Sequence, residues 1–318
     1  MNFAKLVAPI EFNPTELENG ILQIQAPVEM CLYSILEGNI EVARSTLNFL
    51  STIADVTLLQ HGYLHLDFSL VTKITAAASV LIFAEITRAQ LATNQSDVIT
   101  FSLPKSLEQA KLFKASGLYK AIMPGTSRKL IKLFDDNHSY QSGVDPNKFL
   151  VSTLLNLHNN GLELTTPEAK LISKGIQEAM LNVIHHAYFE NQDQRLGIGS
   201  RWWQLVHCDP REKRVTFIIY DKGASIPSTI RPSSSVNLSD ADAIEYAYTK
   251  GVTRLVGTTR GKGSEDIKDA AKVKDKSTLI VMSGRGMYFI DNGSGNGLKS
   301  PLPHNINGTL IEWSIPYE

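Results

Sequence analysis

Glu178, Asn182 and His186 recur at every fourth position along a stretch that starts near Pro167. If the stretch is helical, the three side chains share one face, while Ile176, Met180, Leu181 and Ile184 can turn toward a core. An amide oxygen suits magnesium, a hard ion that prefers oxygen ligands. A carboxylate one turn earlier can orient or deprotonate a nucleophile that attacks a phosphate. The same spacing also fits a solvated polar stripe. Downstream, the apolar run Val215-Thr-Phe-Ile-Ile-Tyr220 delivers Asp221 at its end, followed by Gly223, which permits close backbone approach. A carboxylate placed there can accept a hydrogen bond from an adenine amine, although Asp-x-Gly is also an ordinary turn.

Beyond these, Gly257, Gly261 and Gly263 punctuate a basic stretch with Arg254, Arg260 and Lys262, and Ser264 can cap a helix reaching Val273. Glycine-rich backbone ahead of a helix N-terminus forms a phosphate site; a charged surface loop is the plainer alternative. The run Asp291-Asn-Gly-Ser-Gly-Asn-Gly297 carries more glycine, yet it lies 109 residues after Asn182 between two strand-like runs and reads as a hairpin loop. Neighbours His185 and His186 point about 100° apart on a helix and do not share one ion easily. Trp202 and Trp203 point to opposite faces of a strand, which places at most one of them in a core facing a single side.

The elements that must position these groups follow from the pattern. Thr166-Pro167-Glu168 reads as a helix start with a capping hydroxyl, and the helix is expected to run to about Ala187, after a shorter one over Lys148 to Asn159. Strands are expected over Ser200 to Cys208, Arg214 to Tyr220, Ser277 to Ser283, Met287 to Ile290 and Thr309 to Ile315. A helix layer on a mostly antiparallel sheet is implied. In the first half, Tyr63 to Phe68 and Val98 to Leu103 read as strands, Ala76 to Leu91 as a helix, and Ser106 to Ser116 as a short helix closed by Gly117. Between the halves, 123–145 loses periodicity and gathers Pro124, Gly125, Asp135, Asp136, Asn137 and Gly143, which predicts a linker.

In series, Glu178-x-x-x-Asn182, Asp221-x-Gly223 39 positions beyond Asn182, the Gly-rich stretch and Gly308-Thr309 resemble the nucleotide-binding domain of the gyrase, chaperone, histidine kinase and mismatch-repair ATPases, the GHKL superfamily. Glu178-Ala-Met-Leu-Asn-Val-Ile-His-His-Ala187 is similar to its N-box, Ile219-Tyr-Asp-Lys-Gly-Ala-Ser-Ile-Pro227 to its adenine box, and Gly308-Thr-Leu-Ile-Glu-Trp-Ser-Ile-Pro316 to its closing strand. The likeness covers roughly residues 145–318 and implies ATP and magnesium as ligands. Asn182 would ligate the metal, Glu178 would align the nucleophile, Asp221 would face the adenine amine with Thr309 nearby, and Gly223, Gly261 and Gly263 would allow close approach. Departures are Ser225, where the family has a second glycine, and Ser264, where it usually has an apolar residue.

Among the branches of that family, the anti-sigma-factor serine kinases look nearest, and the first half agrees. Asp67-Phe-Ser-Leu-Val-Thr-Lys-Ile-Thr-Ala-Ala-Ala-Ser79 resembles the strand-loop-helix of STAS domains, and Phe113-Lys-Ala-Ser-Gly-Leu118 their closing helix. Where that family carries an Asp-Ser-Ser-Gly phosphoacceptor, this chain has Thr75-Ala76-Ala77-Ala78. The organisation expected is therefore α/β (α+β): a STAS-like α/β domain over 1–123, a linker over 124–145, and a histidine kinase-like two-layer α/β sandwich over 146–318. The function implied is an ATP- and magnesium-binding regulatory protein that hydrolyses ATP or transfers its γ-phosphate to a partner protein. The alternative is a module in which ATP gates partner affinity without turnover.

Composition sets the outer bounds. A chain of 318 residues suggests two domains of about 150, each large enough to bury its own core. With 31 basic against 32 acidic residues, nothing global points to nucleic acid or an anionic membrane. Cys31 and Cys208 lack disulfide or zinc spacing, and no apolar run approaches the ~18 residues of a membrane span, so a cytoplasmic protein is expected. Its expected partners are ATP, a regulatory protein and, further, a second copy of the chain.

Overall fold

The computed structural model of the protein describes residues 14–17, 20–188, 198–230, 238–249, 263–293 and 297–317. The chain is mixed α/β, and its described residues form a four-stranded mixed sheet, a seven-stranded antiparallel sheet and a two-stranded parallel pair. Its first half contains β1 (Thr15–Glu16), β2 (Leu22–Gln25), β3 (Glu29–Met30), α1 (Ile40–Ala54), β4 (Leu64–Asp67), β5 (Lys73–Ile74), α2 (Ala76–Thr93), β6 (Ile99–Ser102), α3 (Leu107–Ala115) and α4 (Leu118–Ile122). Strands order as β1-β2-β4-β6, with β2, β4 and β6 parallel and β1 antiparallel at the edge. Along β4, Leu64 and Leu66 are buried while His65 and Asp67 are half-buried, the period of two read from the sequence. The Ser106 hydroxyl accepts the Gln109 N–H at the start of α3, and Gly117 takes the left-handed conformation (φ 82°) that turns the chain into α4.

The second half begins within the segment expected as a linker: 124–145 holds α5 (Ser127–Asp135) and β7 (Tyr140–Gly143). After it come α6 (Pro146–Asn159), α7 (Thr166–Asn182), β8 (Trp202–Asp209), β9 (Arg214–Asp221), α8 (Ile226–Ile230), α9 (Asp240–Thr249), α10 (Gly263–Ala270), β10 (Thr278–Ser283), β11 (Gly286–Asp291), β12 (Gly297–Pro301) and β13 (Thr309–Pro316). Seven strands form one antiparallel sheet in the order β12-β11-β10-β13-β9-β8-β7. Strand β7 escapes the sequence pattern because Gln141, Ser142 and Gly143 are polar or small. Its polar groups are satisfied in the interior. Gln141 donates to Ser152, and Gln204 donates to Gln141 and to Thr153, which seats α6 on the sheet. Helix α7 starts one residue earlier than read, since the Thr165 N–H and hydroxyl both donate to Glu168 Oε2 at 2.7 and 2.8 Å. Asp291 to Gly297 joins two paired strands, as the hairpin reading requires.

The seven-stranded sheet is covered on both faces. One face, with Trp202, Val215, Phe217 and Ile219, meets α7, α9 and α10. The other, with Trp203, Leu205, Ile218 and Tyr220, packs against the first half of the chain, chiefly α2. Both tryptophans are therefore core residues, which corrects the expectation that at most one would be. The same burial explains why α2 shows little periodicity. A helix apolar on all sides needs partners on all sides, and residues 77–87 of α2 are all buried between the two sheets. Side-chain bonds across this junction include Tyr140 to Ser79 (2.8 Å), Trp203 to Thr87 (2.7 Å), Tyr33 to Glu312 and Lys222 to Glu85. The expectation that the second half can bury a core by itself thus meets a sheet face supplied with partners by α2. Among the described residues, no helix is long and apolar enough to cross a membrane.

Candidate functional site

The site grows from the ends of two neighbouring strands. In the β9–β13 ladder, Asp221 lies opposite Thr309, the last pair before both strands leave the sheet. The alternation that buries Phe217 and Ile219 beneath the helix layer carries Asp221 to that same side. Its Oδ1 accepts the Gly223 N–H at 2.8 Å. Burial pushes the Asp221 carboxyl up to about 7, against the pull of the Gly223 and Thr309 amides and of the Lys222 charge. The Thr309 hydroxyl sits 2.9 Å from the Ser283 hydroxyl, which also bonds the Gly308 carbonyl at 2.9 Å and accepts the Ile226 N–H at 2.9 Å. Ser283 thereby ties β10, β13 and the segment after Asp221 together.

Two glycines are required here. A Cβ on Gly223 would fall 2.2 Å from the Ala187 carbonyl oxygen, and one on Gly308, at φ 120°, would fall 2.0 Å from the Asp221 carbonyl oxygen. The first contact brings the end of the long helix against the strand end. Past Asn182 that helix widens into a π-type turn over Val183–Ala187, and Tyr188 follows. The Tyr188 hydroxyl accepts the Lys222 N–H at 3.0 Å and donates to the Arg201 carbonyl at 2.6 Å.

Glu178 and Asn182 are both half-buried on α7, as their spacing predicts, while His185 and His186 are exposed. Glu178 faces the start of α10: a Cβ on Gly263 would lie 2.7 Å from Glu178 Oε2. The two helices approach closely because Gly175 leaves no room for a side chain against Ala270 and the Asp266 carbonyl. Burial, followed by the nearby Asp266 carboxylate, raises the Glu178 carboxyl above its ordinary range, with His185 opposing. Within the described residues helix α10 spans Gly263–Ala270, so Ser264 is helical, and the helix ends at Ala270, short of the expected Val273.

The predicted residues thus assemble in two groups. Asp221, Gly223 and Thr309 meet at the sheet end, and Glu178 meets Gly263 at the α7–α10 contact. Asn182 sits on α7 between Glu178 and the Ala187 contact. Gly261, with Gly257 and the basic residues around it, lies outside the described residues. Ser283 and Tyr188 were not read as site residues. A serine closing an apolar strand and a tyrosine after a helix carry no spacing signal of their own. Ser79, the last residue of the STAS-like stretch, is buried, with its hydroxyl bonded to the Ala76 carbonyl and to Tyr140. Among the described residues no group of three or more His, Cys, Asp or Glu side chains could hold a metal ion. Neither a family model nor a curated protein matches the chain.

Proposed function

We propose that the second half of the chain binds adenine nucleotide with magnesium in the manner of the GHKL ATPases and acts on the γ-phosphate, and that the first half is a STAS-like module serving regulation by a partner protein. The observation that carries the reading is the pairing of Asp221 with Thr309 at a buried strand end, against the terminal turn of the helix bearing Glu178 and Asn182. A buried carboxyl met by two backbone amides has lone pairs left to accept with, and the amine of an adenine ring can donate to one. Thr309 adds a hydroxyl beside it.

The residues fit the remaining groups as well. Asn182 offers an amide oxygen to magnesium, which would neutralise charge on the phosphates when bound. Glu178, whose carboxyl burial raises above its ordinary range, is suited to take a proton from an attacking hydroxyl or water. Gly263 of α10 stands beside that carboxylate, and its lack of a side chain leaves room there for a phosphate. The α2 face is occupied by the seven-stranded sheet, so a partner protein would dock elsewhere on the first half. The test is nucleotide-dependent melting of the full chain. A rise with ATP and magnesium, larger than with GTP, supports the proposal, and no shift at millimolar ATP removes it.

A further inference from the structure

Between Asp221, the proposed adenine contact, and Gly223 stands Lys222, whose side chain takes the opposite side of the sheet. Tyr220 and Ile218 face α2, and Lys222 continues their alternation. The Lys222 ammonium donates to Glu85 Oε1 on α2, with both side chains nearly closed to solvent at 7 and 5% exposure. The other carboxylate oxygen, Glu85 Oε2, is buried without a hydrogen-bond partner and faces the Arg88 guanidinium at 3.7 Å. Of the side-chain bonds named above between the first half and the seven-stranded sheet, this is the one made by a residue adjacent to Asp221.

We infer that Glu85 of the first half, acting through Lys222, is a positioning residue for the nucleotide site: the ion pair holds the strand end so that the Asp221 carboxylate meets the adenine. This inference rests on the proposed nucleotide function. The segment has little slack. The Lys222 N–H is held by the Tyr188 hydroxyl, Gly223 is wedged on the Ala187 carbonyl, the Ile226 N–H is held by Ser283, and the Lys222 side chain adds the tether that reaches α2. Releasing it removes the restraint that fixes the strand end against α2, and Asp221, the neighbouring side chain, is the one that a shift of this segment re-aims. A buried pair of this kind contributes little net stability compared with apolar side chains of similar size, so a role in geometry distinguishes it from ordinary packing.

The experiment uses the full chain and three proteins: wild type, Glu85→Gln, and the charge-free double variant Glu85→Leu with Lys222→Met. Calorimetric titration with ATP and GTP, each with magnesium, gives the preference for adenine, and melting without nucleotide reports the fold. Both variants are expected to bind ATP about fivefold more weakly or worse, the loss of one well-placed hydrogen bond. The ratio of ATP to GTP affinity should fall toward one, while the double variant melts near wild type. If Glu85→Gln fails to fold because it strands the Lys222 charge, the double variant carries the test by itself. A folded double variant with the wild-type ATP to GTP ratio overturns the inference and leaves the nucleotide reading standing. A wild type that binds neither nucleotide overturns both.

Discussion

Replacing Asp221 with asparagine separates what this residue does to the fold from what it does for a ligand. Burial raises its carboxyl to about 7, so the folded chain keeps the proton where the unfolded chain, with an ordinary value near 3.9, has released it. For a carboxyl raised in this direction, the stabilising contribution is full below about pH 4 and is lost as pH climbs to about 7, by about 1.4 kcal/mol per unit and about 4 kcal/mol in all. Asparagine keeps the shape and the oxygen that accepts the Gly223 N–H, has no proton to lose, and gives up about 1 kcal/mol where an amide nitrogen replaces an acceptor. Asp221→Asn should therefore be more stable than wild type by about 3 kcal/mol at pH 8, several degrees in Tm, with the advantage shrinking to about 0.5 kcal/mol or less at pH 5. Melting curves at intervals from pH 5 to 8 read this directly. The same variant should bind ATP more weakly by about 1–3 kcal/mol, with guanine nucleotides gaining relative to adenine ones. A lower Tm at every pH by a constant amount would refute the buried-acid argument. Unchanged ATP affinity in the folded variant would reduce Asp221 to a turn residue.

Other substitutions probe the remaining parts. Glu178→Ala should lower turnover or phosphate transfer to a partner by about 10²- to 10⁴-fold while binding survives, measured by phosphate release alongside titration; an inert wild type with intact binding would point to ATP as an effector. Asn182→Ala should abolish the magnesium dependence of nucleotide binding, so equal affinities with magnesium and with a chelator are expected, and retention of the wild-type magnesium effect would mean that the helix face is only a solvated stripe. Deleting residues 1–123 should leave Trp203, Leu205, Ile218, Tyr220 and Met282 without their cover, giving a protein that aggregates or binds an apolar dye; a soluble monomer with a cooperative melt would show that the sheet stands alone.

Much of this architecture was legible in local pattern. The apolar run of Val215 to Tyr220, the alternation of Leu64 to Asp67, the proline and acidic residue in the first turn of α7, and the capping Ser106 each act within a few residues, and each marks its element correctly. The Glu178 to Asn182 spacing likewise survives as a shared helix face, because it needs only the period of the helix. What stayed hidden depends on partners distant in sequence. Strand β7 has no apolar alternation because its glutamine and serine are satisfied across the interior by Ser152, Trp202 and Gln204. The continuous apolar character of α2 reads as a helix but not as one clasped between two sheets. Glycine beside Asp221 suggests close approach, yet which backbone approaches, here that of Ala187, emerges only when the helix end is laid on the strand end. Lys222 and Glu85 are 137 residues apart and look like surface charges until the fold buries them together.

The most direct test of nucleotide binding is calorimetric titration of the full chain with a non-hydrolysable ATP analogue, with and without magnesium. Saturable one-site binding that strengthens with magnesium and falls away for the guanine analogue is the predicted result. No heat and no change in Tm at millimolar analogue would contradict the nucleotide reading and leave Asp221, Thr309 and Glu178 as structural residues of an α/β protein.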